Sequence, residues 1–142
     1  MTDFDWVTAR AKCSLAAMFE QLRLWVQDDI EKRQALRGKD SIDGEGYSHG
    51  FHVSNARNSF SVTLAGQSPE KRTVTFTLEE NAIAVSDLGD KLLFRFAVTL
   101  NKEGQCVGKM GGSGNEVEFW QIRQKALEAL FFESGVPFNI PA

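Results

Sequence analysis

Ser59-Phe60-Ser61-Val62-Thr63-Leu64 and Thr73-Val74-Thr75-Phe76-Thr77-Leu78 each alternate a small hydroxyl residue with a large apolar one over six positions. A side-chain period of two is the mark of a β-strand with one buried face and one polar face. Between them Gly66 to Lys71, with Pro69, reads as a loop. A connection that short cannot hold a crossover helix, so the two strands are expected to be antiparallel neighbours.

The same pattern extends in both directions. Upstream, Phe51 and Val53 alternate before a turn at Ser54–Asn58. Downstream, Glu80-Asn81 turns into Ile83 and Val85, and a further turn covers Asp87 to Lys91. Phe94, Phe96, Val98 and Leu100 then alternate with Arg95, Ala97 and Thr99, and Asn101 to Gly104 turns into Cys106–Met110. The expectation is an antiparallel meander of about five or six strands with one strongly apolar face. The other face carries Ser59, Ser61, Thr63, Thr73, Thr75, Thr77, Ala84, Ala97 and Thr99, with Arg95 almost alone as a charge. Thr is ordinary on an exposed strand face, and a flat, small, uncharged face also suits a partner.

Helical segments flank the meander. From Asp3 to Arg37 there is no Gly and no Pro, and Val7, Ala11, Leu15, Met18, Leu22, Trp25 and Val26 recur at helical spacing. Gly38 is the expected terminator, with Arg33 and Arg37 at the negative end of the helix dipole. A continuous helix of this length would span about 50 Å at 1.5 Å per residue. It must therefore break near Thr8 or project beyond the sheet. Gly38 to Gly50, with four glycines, reads as a loop. At the other end Asn115 is the expected N-cap of a second helix, with Glu118 three residues on in the manner of a capping box. That helix is expected to run to about Ser134, before Gly135 and Pro137, burying Phe119, Trp120, Ala126, Leu127, Leu130 and Phe131. Each helix has a wide apolar stripe and only one sheet face is apolar. Both helices are therefore expected on that face, against Phe60, Val62, Val74, Phe76, Phe94, Phe96 and Val98. The fold class is α+β, with residues 1–142 as a single domain.

Composition bounds the function. Hydrophobic residues are 42% and charged residues 25% of the chain, close to globular averages. With a formal net charge of −3, no basic excess exists to neutralise phosphates, so no nucleic-acid partner is expected. The longest apolar run is only a few residues, so no membrane span is expected. Acids at Asp3 and Asp5 stand where a signal peptide would carry Lys or Arg, which makes a cytoplasmic address the expectation. Cys13 and Cys106 are no disulfide framework and read as small semi-buried thiols.

Motifs for chemistry are sparse. His49 and His52 with Asp43 and Glu45 lie across a loop-to-strand junction without a third His or HExxH, so no metal site is assigned. Gly108-Lys109-Met110-Gly111-Gly112-Ser113-Gly114 runs into a helix start, a place where backbone amides can hold anions, but it lacks the P-loop spacing. Its expected role is a chain reversal. Neither it nor Trp120-Gln121-Ile122-Arg123 attaches to a known activity, and no cofactor is implied.

Two charges fall inside apolar stripes: Asp29 in the first helix and Arg123 in the last. A lone buried charge is costly, so the two are expected to form a structural ion pair, with Arg33 a competing partner for Asp29. The first helix also carries a second stripe, Trp6, Cys13, Ala17 and Leu24, facing away from the first. It points to a homodimer formed through this helix, the Ser/Thr face, or both. The balance of these features is against an enzyme and for an interaction or adaptor-type domain that binds a protein partner or itself. The alternative is a small-ligand binder or enzyme with a pocket between the sheet, the 38–50 loop and the C-terminal helix. Tyr47, His49, His52 and Arg95 would be its polar groups.

Overall fold

The computed structural model describes residues 3–40, 51–64, 72–87 and 91–132. Three helices and a seven-stranded antiparallel sheet follow in the order α1 (Trp6–Lys12), α2 (Leu15–Asp40), β1 (Phe51–Asn55), β2 (Ser59–Leu64), β3 (Arg72–Leu78), β4 (Ile83–Asp87), β5 (Leu92–Leu100), β6 (Cys106–Met110), β7 (Glu116–Val117) and α3 (Phe119–Phe132). The sheet is a pure meander, β1 to β7 in spatial order. Phe60 pairs with Phe76, Phe76 with Val85 and Val85 with Phe94, so one register line carries large apolar residues across four strands.

α2 and α3 lie on that apolar face. Phe19, Leu22, Val26 and Ile30 of α2 and Ile122, Ala126, Leu127 and Leu130 of α3 join the strand residues in one core. Its centre is aromatic. The rings of Phe60 and Phe76 stack at 4.8 Å, and Phe19 of α2 tilts onto Phe60 at 5.3 Å. At Gly108 of β6 α3 lies close on the sheet, because a Cβ there would collide with Ile122 Cδ1.

Several expectations need correction. The sheet has seven strands rather than five or six. The extra one, β7, occupies residues read as a helix start. Gly112 and Gly114 adopt φ of +90° and +74°, a region open to Gly at little cost. They let the chain reverse tightly enough for Glu116 and Val117 to pair with Lys109 and Gly108. The helix consequently begins three residues late. Glu118, not Asn115, sits before its first turn, and its N–H donates to Gln121 Oε1 at 2.9 Å, which is the returning half of a capping box. Gly38 does not end α2, which continues to Asp40. A helical Gly costs only about 1 kcal/mol relative to Ala. The expected helix end at Ser134 and the loop at 66–71 lie outside the described residues.

The long first helix does break, at Cys13–Ser14 and not near Thr8. Ser14 Oγ accepts from Ala17 N–H at 3.1 Å and caps α2. The break coincides with a disulfide between Cys13 and Cys106, 93 positions apart, with Cα atoms at 5.5 Å. The two cysteines are therefore not thiols. Spacing alone says nothing about such a pair. It forms because α2 lies across the sheet with its N-terminal end over β6. Val7 and Ala11 are exposed, not core, and α1 buries no residue at all. Among the described residues, no helix is long and apolar enough to cross a membrane.

Candidate functional site: a groove between the second and third helices

α2 and α3 pack side by side on the sheet, and their outer flanks leave a groove of about 440 Å³. Its floor and walls come from both helices: Asp29, Arg33 and Leu36 from α2, and Trp120, Arg123, Leu127 and Phe131 from α3. At the centre Arg123 Nε donates to Asp29 Oδ2 at 2.6 Å, with the two side chains 16% and 23% exposed. The Arg123 guanidinium also lies 5.1 Å from the centre of the Trp25 ring. A charged, short hydrogen bond combined with a cation–π contact fixes the relative register of the two helices.

Arg33 holds the far end. It is 4% exposed, its Nε donates to the carbonyl of Phe131 at 2.9 Å, and its guanidinium lies 4.6 Å from the Phe132 ring centre. It thus satisfies a carbonyl at the described end of α3. Expected as a complement to the helix dipole and as a competing partner for Asp29, Arg33 is a buried clamp on α3. Its place beside Leu22, Val26 and Ile30 on a helical projection was the available signal. Arg23 is a third anchor that sequence reasoning missed. It spans the Phe19 and Phe60 rings and donates to Asn55 Oδ1 and the Ala56 carbonyl, tying α2 to the β1–β2 turn.

Apolar side chains rim the groove. Leu36 is 53%, Trp120 52% and Phe132 54% exposed. Trp120 was expected in the buried stripe of the last helix. α3 instead turns its Ile122 side to the sheet, against Gly108, and Ile122, 1% exposed, takes the core position.

The other expected site residues lie elsewhere. Tyr47 and His49 lie outside the described residues. His52 and Arg95 are exposed and sit among the outward-facing positions of β1 and β5, opposite the helices. Three strands separate β1 from β5, which sets the two strands about 19 Å apart across the sheet at 4.8 Å per strand, and the register offsets the two residues by four positions along β3 as well. They do not converge with each other or with α3. Arg95 instead forms a paired contact with Glu79, at 2.8 and 3.4 Å. This hydrogen bond, then the charge of Glu79, raises the Arg95 pKa above its ordinary value.

A second hollow of about 430 Å³ lies beside Arg95, Lys109 and Gly111–Gly114 on the outer face. Two amides of the glycine turn are bonded internally: Gly111 N–H donates to the Arg95 carbonyl and Gly114 N–H to that of Met110. Because β7 intervenes, this turn is not a helix N-terminus. Elsewhere on the outer face, hydroxyls pair across strands, Ser61 with Thr75 and Thr63 with Thr73, both at 3.0 Å. Among the described residues no three His, Cys, Asp or Glu side chains cluster as metal ligands would.

Of the expected contact stripe, Trp6 and Leu24 are 63% and 64% exposed and Ala17 is exposed. Cys13 is 2% exposed and bridged to Cys106, so it belongs to the interior and not to a contact surface. Comparison of the chain with protein-family models, with curated proteins and with solved structures finds no match.

Proposed function

We propose that this chain is a non-enzymatic interaction domain of the adaptor type, which docks a protein partner on the α2–α3 groove. One observation carries the reading: Leu36, Trp120 and Phe132, all more than half exposed, surround a single groove. Isolated exposed apolar residues are ordinary, but a contiguous apolar patch rimmed by charge marks a contact surface. Trp is enriched among residues that dominate binding energy, and Lys32 and Glu128 supply a polar rim. The Asp29–Arg123 pair keeps both walls in place before a partner arrives, which lowers the ordering cost of binding.

The groove volume also favours a second reading, a small-ligand site or an enzyme pocket, since such sites run from roughly 300 to 1,000 Å³. Its polar groups would be Gln124, Glu128 and Arg123 rather than those expected from sequence. The Cys13–Cys106 bridge favours an oxidising compartment over the cytoplasmic address expected from the N-terminal acids, because structural disulfides persist where thiols are not kept reduced.

The discriminating experiment compares wild type, Trp120→Glu and an outer-face control, Thr75→Arg, as immobilised baits, with quantitative mass spectrometry of captured proteins and of small molecules. A protein captured by wild type and by Thr75→Arg but not by Trp120→Glu supports the docking groove. A small molecule lost in the same pattern supports the second reading. Capture indifferent to Trp120→Glu removes the groove from either role.

A further inference from the structure

We infer that the Cys13–Cys106 bridge is a thiol-exchange site, opened in the folded protein by attack of a thiolate on Cys106 Sγ, and that its opening releases the N-terminal arm, residues 4–12. The site is independent of the α2–α3 groove.

The two sulfurs belong to residues of unequal access. Cys13 is 2% exposed, whereas Cys106 is half-buried. Cys106 is the first residue of β6, beside the β5–β6 turn. β7 pairs with β6 at Gly108 and Lys109, so among the described residues no strand runs beside Cys106 on the outer flank of β6. A thiol arriving from solvent meets Cys106 before Cys13.

They are also unequal as leaving groups. Cys13 stands between α1 and α2, immediately before Ser14, which caps α2. A helix of 26 residues presents the positive end of its dipole there. Arg10 Nη1 donates to the Cys13 carbonyl at 3.3 Å, which brings a guanidinium to the same residue. The carbonyl end of α1 offers little opposition, because the Cys13 N–H already bonds the Ala9 and Arg10 carbonyls. Positive surroundings of this kind favour a negative sulfur. Cys106 lies in a strand, where net dipoles are small, and the adjoining turn carries one charge of each sign, Lys102 and Glu103. Exchange is faster at the more accessible sulfur and with the more stable departing thiolate. Access and charge therefore select the same reaction, in which the new bond forms at Cys106 and Cys13 departs.

With a monothiol the step is balanced as follows. The incoming thiolate bonds to Cys106 Sγ, the Cys13–Cys106 bond breaks, and its electron pair leaves on Cys13 Sγ, which takes a proton from water. One S–S bond is lost and one is gained. A dithiol goes further: its second thiolate displaces Cys106 Sγ, the dithiol is oxidised by two electrons to its own disulfide, and both protein sulfurs end as thiols.

Opening is felt first at the arm. α1 buries no side chain, and Trp6 and Val7 are 63% and 60% exposed. Phe4, whose ring lies against Gly104, is itself 57% exposed. A seven-residue helix without a packed face is marginal in water. α2 and the sheet share one core and α2 keeps its Ser14 cap, so they remain folded when the bond is gone.

The test incubates the oxidised full chain with reduced glutathione and no denaturant, quenches with an alkylating reagent and maps both cysteines by peptide mass spectrometry. The expected product carries glutathione on Cys106 and the alkyl mark on Cys13. Its rate of formation should be proportional to glutathione concentration and about tenfold or more above the global unfolding rate extrapolated from a urea chevron. Hydrogen exchange over residues 4–12 should rise in the opened chain while that of β2–β4 stays unchanged. Arg10→Gln should slow the opening by about twofold to fivefold and Arg10→Lys should restore it, with the urea midpoint of the oxidised chain unmoved in both. Glutathione on Cys13, a rate independent of glutathione and equal to global unfolding, or an arm as protected after opening as before overturns the inference. A rate indifferent to Arg10→Gln overturns the choice of Cys13 as the stabilised leaving group.

Discussion

At the scale of single residues, arginine is the joining element of this helical layer. Arg23, Arg33 and Arg123 each connect α2 to something distant: the β1–β2 turn, the Phe131 carbonyl of α3 and the body of α3. Each also lies against an aromatic ring, so the guanidinium is held on its face as well as at its edge. The Asp29–Arg123 pair sits between the two regimes in which ion pairs are usually discussed. It is too shielded to be a neutral surface bridge and too wet to leave a fully stranded charge. Arg123→Ala should therefore cost about 2–3 kcal/mol in a urea melt, above the range of exposed pairs and below that of fully buried ones. A loss under about 1 kcal/mol would show that water satisfies Asp29 once its partner is gone.

At the scale of elements, α1 and α3 show how ends decide helices. Gln121 returns to the Glu118 amide and starts α3 after β7. At α1 the cap is Asp5, whose carboxylate accepts from Thr8 N–H at 3.1 Å. That backbone hydrogen bond lowers the Asp5 pKa below its ordinary value. A depressed carboxylate pKa gives stability that is present above the unfolded value, about 3.9, and is lost as pH falls through the folded value. α1 should therefore lose amide protection on acidification below about pH 4. In Asp5→Asn the cap is neutral at every pH, and hydrogen exchange should show no such step. An acid-induced step of equal size in Asp5→Asn would assign it to another group.

At the scale of the whole molecule, the sheet and helices are local consequences of the chain, whereas the disulfide is a global one. Closing 93 positions of chain constrains the unfolded ensemble far more than a short bridge would. Chain-entropy reasoning sets the gain at about 4–5 kcal/mol, with native bridges typically worth about 2–5. Cys13→Ser/Cys106→Ser, or wild type in a thiol reductant, should lose stability of that order in a denaturant melt. Because α1 is rooted at Cys13, the same change should free the arm and raise hydrogen exchange over residues 4–12 ahead of the core. Equal stability of the reduced and oxidised chains would show that packing at the Cys13 site, without the bond, already holds the α2 end on β6.

Sequence periodicity determined much of this protein. Alternation at Ser59–Leu64, Thr73–Leu78 and Phe94–Leu100 was enough for a meander with one apolar face, since a half-buried strand must repeat every two residues. The apolar stripes of α2 and α3, with only one sheet face to cover, determined the layer order. Charges inside those stripes drew attention to Asp29 and Arg123, which the fold brings together. Only the tertiary structure decided the disulfide, the buried clamp of Arg33, the outward turn of Trp120 and the separation of His52 from Arg95. Each depends on which distant segments meet, and these are fixed by close approaches such as Gly108 beneath Ile122. Local pattern reports which face of an element is buried. What that face lies against, and so where a groove is left open, is a property of the packed layers.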